Sequence, residues 1–176
     1  LQETRLVGSG GAPLTSEIAQ AWSEKKVWIQ NGCGMTESGP ILFLQTKQQA
    51  QEHPTAVGLP VSGTQVRLTG PDGTEVEPGE AGEIWIQGEA VTPGYLSNSI
   101  ANQRSYHAKW FRTGDIARFE NNQYWIIERL NDMFICGGEN VYPSEVEEVL
   151  LACEGVLDAV VMSTSHRVWG EVGVAL

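Results

Sequence analysis

The apolar pattern of this chain changes its period twice, near Ala56 and again after Arg129, so no single regular architecture accounts for all of it. Up to about residue 55, strand and helix signals alternate. Arg5-Leu6-Val7-Gly8 reads as a short strand entering the glycine turn Ser9-Gly10-Gly11-Ala12-Pro13. Thr15 to Glu24 reads as a helix, with Thr15 as N-cap, Glu17 in the first turn, and Ile18, Ala21 and Trp22 at helical spacing. Val27-Trp28-Ile29-Gln30 is the next strand, ending where a second glycine string begins, and this order has α/β character. From Ala56 the chain turns to short alternating strands, Gln65 to Leu68 and Glu83 to Gln87, with Pro71-Asp72-Gly73 as a turn between them. Ile116 to Phe119 and Tyr124 to Glu128 flank Asn121-Asn122, a hairpin signal because Asn tolerates positive φ. This middle third predicts a small antiparallel sheet or barrel. Beyond Arg129, Met133 to Ile135 reads as a strand, Ser144 to Leu151 as a helix with Val146, Val149 and Leu150 on one face, and Leu157 to Met162 as another strand.

Composition narrows the classes of partner. The net charge of −11, with 11 basic residues spread over 176, argues against a nucleic-acid polymer, whose phosphates demand clustered Lys and Arg. A single nucleotide is different, since backbone amides and one or two cations can hold it on an acidic protein. Hydrophobic content of 41% and charged content of 19% suit a folded domain. Cys33, Cys136 and Cys153 are odd in number and lack C-x-x-C spacing, which predicts neither a disulfide framework nor a zinc site and points to a reducing cytoplasm. No apolar run approaches the roughly 18 residues of a membrane span. Opening on Leu1 without Met and stopping in the apolar run Gly173-Val174-Ala175-Leu176, the chain reads as a piece of a longer protein.

Four strings carry chemistry: Asn31-Gly32-Cys33-Gly34-Met35-Thr36-Glu37, Phe111-Arg112-Thr113-Gly114-Asp115, Glu128-Arg129-Leu130-Asn131-Asp132 and Cys136-Gly137-Gly138-Glu139-Asn140. Gly32 and Gly34 let backbone approach a flat ligand, while the Thr36 hydroxyl can donate to a phosphate oxygen. A carboxylate such as Glu37 can meet phosphates only through Mg²⁺ or water. Asp115 can accept from both hydroxyls of a ribose, and Arg129 can pair with a sugar or phosphate oxygen. Gly137-Gly138 either admits a thin ligand arm or makes a tight β turn. Taken singly, each string also has a plainer reading: a surface loop, a turn, a surface salt bridge.

In their order, the strings resemble the adenylate-forming (AMP-binding) superfamily, which includes acyl-CoA synthetases, luciferases and peptide-synthetase adenylation domains; the likeness spans essentially the whole chain. The resemblance implies α/β architecture with a small antiparallel β subdomain, a partial adenylate-forming fold followed by an incomplete α+β C-terminal domain. It divides the chain into residues 1–130, the end of the AMP-binding domain (1–55 the α/β part, 56–130 the β subdomain), and residues 131–176, the start of a mobile C-terminal domain. It implies that Gly11, Ala12 and Pro13 lie against adenine, with Asn31, Gly32, Cys33, Gly34 and Met35 forming the other adenine wall and part of the acyl pocket. Thr36 would contact phosphate and Glu37 would serve Mg²⁺ through phosphates or water, the two together forming the catalytic pair. Asp115 would bind ribose, Ile126 would pack near the nucleotide, Arg129 would reach ribose and phosphate, and Asn131 would be the hinge. Gly137, Gly138 and Trp169 would border coenzyme A, and the form Gly-Gly-Glu-Asn-Val-Tyr-Pro-Ser-Glu is nearer to acyl-CoA ligases than to peptide synthetases.

The implied activity is that of an acid–thiol ligase using ATP, Mg²⁺, coenzyme A and a small carboxylic acid. Adenylation with a non-CoA acceptor and a catalytically inactive nucleotide-binding module are the alternatives. Three departures stand out: Cys33 where the family usually has an aromatic residue, Glu128 where it has glycine, and Asn131 where it has Asp or Lys. The phosphate-binding loop expected upstream and the catalytic lysine expected downstream are not matched within the chain, and none of Lys25, Lys26, Lys47 and Lys109 fills that lysine's place.

Overall fold

Side-chain capping and tight strand pairing set the boundaries of most elements in the computed structural model, which describes residues 4–176. Leu1, Gln2 and Glu3, where the first predicted domain opens, lie outside the described residues. The chain forms two compact units, one of Leu1–Thr113 with Ala117–Ile126, the other of Gly114–Ile116 with Ile127–Leu176.

In the first unit, β1 (Gly8–Ser9) leads to α1 (Ser16–Ser23), whose Thr15 N-cap accepts a hydrogen bond from the Ile18 amide at 3.3 Å. The chain then enters β2 (Gln30–Met35), parallel to β1 with Gly8 opposite Gln30. Helix α1 buries Ala19 beside Leu14 and Ile29 with Trp22 packed against them, whereas Ile18, 47% exposed, and Ala21 stay outside, so only Trp22 of the expected Ile18, Ala21, Trp22 stripe faces the core. The strand expected at Val27 to Gln30 instead begins at Gln30 and carries the glycine string itself. It pairs antiparallel with β3 (Gly39–Leu44), Gly32 opposite Leu44 and Cys33 opposite Phe43. There glycine serves close packing: a Cβ on Gly32 would lie 2.9 Å from the Phe43 carbonyl oxygen, and one on Gly34 would strike the Pro40 carbonyl.

Next come α2 (Lys47–Glu52), opened by a reciprocal Thr46–Gln49 capping box, and β4 (Leu59–Pro60), which completes a four-stranded sheet in the order β1-β2-β3-β4. The remaining strands are β5 (Thr64–Thr69), β6 (Ala81–Gly88), then, after α3 (Ser99–Ser105), β7 (Tyr106–His107), β8 (Trp110–Glu120) and β9 (Gln123–Arg129). They form a five-stranded sheet in the order β5-β6-β8-β7, with β9 also paired to β8. Asn121 and Asn122, at φ 50° and 58°, make the two-residue turn between β8 and β9, as expected.

Leu42 and Phe43 share one core with Val57, Ile84, Ile86, Phe111 and Ala117, so residues on either side of Ala56 pack together. A buried amide network crosses this core. Gln45 accepts from the Asn31 amide at 3.0 Å and donates to the His53 carbonyl at 2.7 Å and to Gln123 Oε1 at 3.0 Å. Each buried bond of this kind avoids the desolvation cost of an unpaired amide.

The second unit contains β10 (Phe134–Cys136), β11 (Glu139–Val141), α4 (Pro143–Leu151), β12 (Val161–His166) and β13 (Gly170–Ala175), in the sheet order β11-β10-β13-β12. Ile116, Phe134, Pro143, Ala159 and Val161 are among its buried apolar residues. The strand expected at Leu157 to Met162 lies further on, because pairing with β13 aligns Val161 with Ala175 and His166 with Gly170. Helix α4 starts with Pro143 and is capped from outside: Glu128 Oε2 accepts from the Ser144 amide at 2.9 Å, and the Ser144 hydroxyl donates to the Ile127 carbonyl at 2.7 Å. No helix among the described residues is long and apolar enough to cross a membrane.

Candidate functional site

In the first unit, two of the glycine strings meet. A Cβ on Gly10 would lie 3.1 Å from the Gly32 carbonyl oxygen, so the segment leading to Gly11, Ala12 and Pro13 runs directly beside β2. Gly11 itself sits at φ +83° with open space where a side chain would be. Along β2 the residues differ in what they offer. The Asn31 side chain, 3% exposed, donates to the Ala56 carbonyl at 3.1 Å and accepts from the Gly32 amide, so it braces the strand from within. Cys33 and Met35 are half-buried against the core, while Gly34 is exposed. Ile126, on β9, also packs against that core.

Thr36, Glu37 and Ser38 form the turn between β2 and β3, in which Thr36 is exposed and Glu37 half-buried. The Glu37 carbonyl accepts from the Thr92 amide at 2.7 Å, and its carboxylate Oε1 accepts from the Tyr95 hydroxyl at 2.7 Å. Burial first, and the hydrogen bond to Glu37 second, push the Tyr95 phenol above its ordinary value of 10.0, so it remains protonated and donating at neutral pH. Ser38 is 4% exposed, and its hydroxyl has no hydrogen-bond partner among the described residues.

The second unit holds the other predicted residues. Gly114, at φ +74° with open space around it, precedes Asp115, which is 7% exposed. Arg129 Nε lies 2.9 Å from Asp115 Oδ1 while its own side chain is 57% exposed, and the Leu130 amide donates to the Gly114 carbonyl at 2.8 Å. The two residues predicted to serve ribose and phosphate are thus joined, with the guanidinium facing solvent. Asn131 is exposed in the turn that follows, where the Asp132 and Met133 amides both bond to the Arg129 carbonyl. Gly137 and Gly138, at φ +61° and +95°, turn the chain between β10 and β11, and the Gly137 amide donates to the Trp169 carbonyl at 2.9 Å. Trp169 is 54% exposed and is held in its turn by His166, whose Nδ1 accepts from the Val168 and Trp169 amides. The residues predicted to border coenzyme A therefore adjoin one another.

These donors suit a nucleotide and a metal carried by it. Among the described residues no cluster of three or more His, Cys, Asp or Glu could hold a metal ion. A single carboxylate, Glu37, with one oxygen already engaged, fits Mg²⁺ that takes its remaining ligands from phosphates and water. The orphaned Ser38 hydroxyl beside it fits a site that a polar ligand completes. Tyr95 and Thr92 escape a sequence reading. The readable clue to Tyr95 was its place between Gly94 and Asn98, the N-cap of α3.

The AMP-binding enzyme family matches residues 1–96, more than half of the chain, and the chain belongs to that family. Over 177 aligned residues it is 37% identical to a feruloyl-CoA synthase from Amycolatopsis sp, covering 100% of this chain and 36% of that protein. With a 2-succinylbenzoate–CoA ligase from Bacillus licheniformis it shares 36% identity, over 95% of this chain and 34% of that protein. Among solved structures, the o-succinylbenzoate CoA synthetase of Bacillus subtilis in complex with its acyl-adenylate intermediate superposes with a TM-score of 0.89 at 31% identity, covering 97% of this chain and 35% of that one. The fold is therefore the adenylate-forming fold that the motifs implied, and the chain spans about a third of the length of these relatives.

Proposed function

We propose that this chain is part of an ATP-dependent carboxylate–CoA ligase. In the first step a carboxylate oxygen attacks the α-phosphorus of ATP, and pyrophosphate leaves to give the acyl-adenylate. In the second the CoA thiol sulfur attacks the acyl carbon, and AMP leaves to give the thioester. The observation that carries this reading is the Asn31 to Glu37 string, built as a strand and turn that present an exposed threonine and an anchored carboxylate in a member of the AMP-binding family.

On this reading Thr36 donates to phosphate as negative charge develops, a role in which one preorganised donor is worth about 10²–10³ in rate. Glu37 would hold Mg²⁺ through phosphates or water, and the ion would supply charge neutralisation there. Gly11, Ala12 and Pro13 line the adenine together with the backbone of residues 31–35, and Ile126 supports them. Asp115 accepts from ribose and Arg129 reaches ribose and phosphate. Residues 1–130 end the AMP-binding domain, Asn131 is the hinge, and residues 131–176 begin a mobile domain in which Gly137, Gly138 and Trp169 border the pantetheine arm. The odd number of cysteines, without C-x-x-C spacing, is what favours a reducing, cytoplasmic setting on this reading.

An aromatic acid is the first substrate to try, because the relatives include a feruloyl-CoA synthase and a 2-succinylbenzoate–CoA ligase. The test is acid-dependent ATP–pyrophosphate exchange by the full-length protein across aromatic and fatty acids, followed by CoA consumption. Exchange with at least one acid is expected; none across the panel would sink the proposal.

A further inference from the structure

The segment from Thr92 to Tyr106 is tied to Glu37 at two points, one on its backbone and one on its carboxylate, all within the first unit. Thr92 donates its amide to the Glu37 carbonyl at 2.7 Å, and the Tyr106 hydroxyl donates to the Thr92 carbonyl. Tyr95 is clamped from behind by one side chain: Asn102 accepts from the Tyr95 amide at 2.7 Å and donates to the Tyr95 carbonyl at 3.0 Å. Asn102 in turn rides on α3, whose first turn is capped by Asn98 at 3.0 Å from the Ala101 amide. Gly94, at φ +147°, leaves the space for this clamp, since a Cβ there would lie 3.0 Å from Asn102 Oδ1. At the end of the chain of bonds the Tyr95 hydroxyl donates to one oxygen of Glu37.

A glutamate in a turn has three rotatable side-chain bonds and no reason to hold one direction. A phenol fixed at both sides of its own backbone supplies one. By engaging Oε1, it settles which way the second oxygen faces, as a hydrogen-bonded outer partner does for a metal-ligating carboxylate. We propose that Tyr95 is a positioning residue that fixes the Glu37 carboxylate for the metal–nucleotide complex, and that the Asn102 clamp acts through it. The proposal rests on the reading of Glu37 as the acidic residue of the Mg²⁺–ATP site.

The test is calorimetric titration of the full-length protein with ATP, once with Mg²⁺ and once with EDTA, which needs no knowledge of the acid. Tyr95→Phe keeps the ring and removes only the donor. It is expected to weaken Mg²⁺–ATP binding on the order of 10-fold, the lower end for an outer partner of a metal ligand, and to leave metal-free ATP binding unchanged. Asn102→Ala should show the same pattern, and it decides the matter should Tyr95→Phe fail to fold. In a Glu37→Gln background Tyr95→Phe should cost nothing more, since the two act as a unit. Wild-type binding by Tyr95→Phe, equal losses with and without metal, or additive losses with Glu37→Gln would each overturn the proposal. Wild-type Mg²⁺–ATP binding by Glu37→Gln alone would instead remove the reading beneath it, and that result is seen without touching Tyr95.

Discussion

Trp169 leaves no room for a Cβ on Gly137: such an atom would lie 2.7 Å from the indole Cε3 and 3.1 Å from Cζ3. The glycine also sits at φ +61°, so two independent constraints exclude a side chain there. Gly137→Ala is expected to destabilise the second unit by about 1–3 kcal/mol and to displace Trp169. Thermal unfolding reads the first effect. On the proposed function, CoA-dependent consumption of acyl-adenylate should slow while ATP–pyrophosphate exchange stays near wild type; equal losses in both would separate Gly137 from the thiol step.

Glu128, which stands where relatives of this type were expected to have glycine, carries a structural duty. Its two carboxylate oxygens accept from the Arg129 and Ser144 amides, both at 2.9 Å, so it caps α4 at a position where the helix has no side-chain N-cap of its own. Glu128→Gly should cost about 0.5–2 kcal/mol, the range for losing a cap, and the effect should be local. Hydrogen exchange checks it: the Ser144 amide should lose protection in the variant, and amides of β5 and β6 should not.

Tyr124 makes stability depend on alkaline pH. Its ring packs between Phe43 at 4.9 Å and Phe119 at 4.8 Å, and burial first, then the negative charge of Glu75, push its phenol above the ordinary value of 10.0. A raised folded value means the folded state holds the proton more tightly than the unfolded chain. The contribution is therefore fully present below the unfolded value and is lost as pH rises through the folded one. Tyr95 and Tyr106 are raised as well, in each case by burial first. The urea midpoint should be flat from neutrality to about pH 9 and fall above about pH 10. Tyr124→Phe should lessen that fall, and an unchanged alkaline slope would contradict the assignment.

Local signals that close on themselves were readable from sequence. Thr15 caps α1 and Asn121-Asn122 turns a hairpin because each satisfies its requirement within a few residues. The Thr46–Gln49 capping box was equally local, yet α2 went unread, since its Lys-Gln-Gln-Ala-Gln-Glu run buries only Ala50 and shows no apolar stripe. What depended on distant partners was misplaced. Glycines suggested that Asn31 to Met35 was a loop; pairing with Gly39–Leu44 makes it a strand in which those glycines are sterically required. The apolar run Leu157 to Met162 suggests a strand of which only Val161 and Met162 belong to β12, the strand continuing through the polar Ser163–His166. In the site, the strings bring Asp115, Arg129 and Gly137 to notice, and the family resemblance adds Trp169. Tyr95 lies 58 residues from the carboxylate it holds, and no periodicity announces such a bond.

The bond between Gln45 and Gln123 joins positions 78 residues apart at the centre of the first unit's core. Gln45 has already committed its oxygen to Asn31 and its other amide proton to His53. A substitution at residue 123 therefore strands a donor that has nowhere else to turn, and one at residue 45 strands the Asn31 amide at the head of the glycine string. The head of the glycine string is thus held by a side chain 14 residues further along the chain, which is itself braced by one 78 residues beyond it.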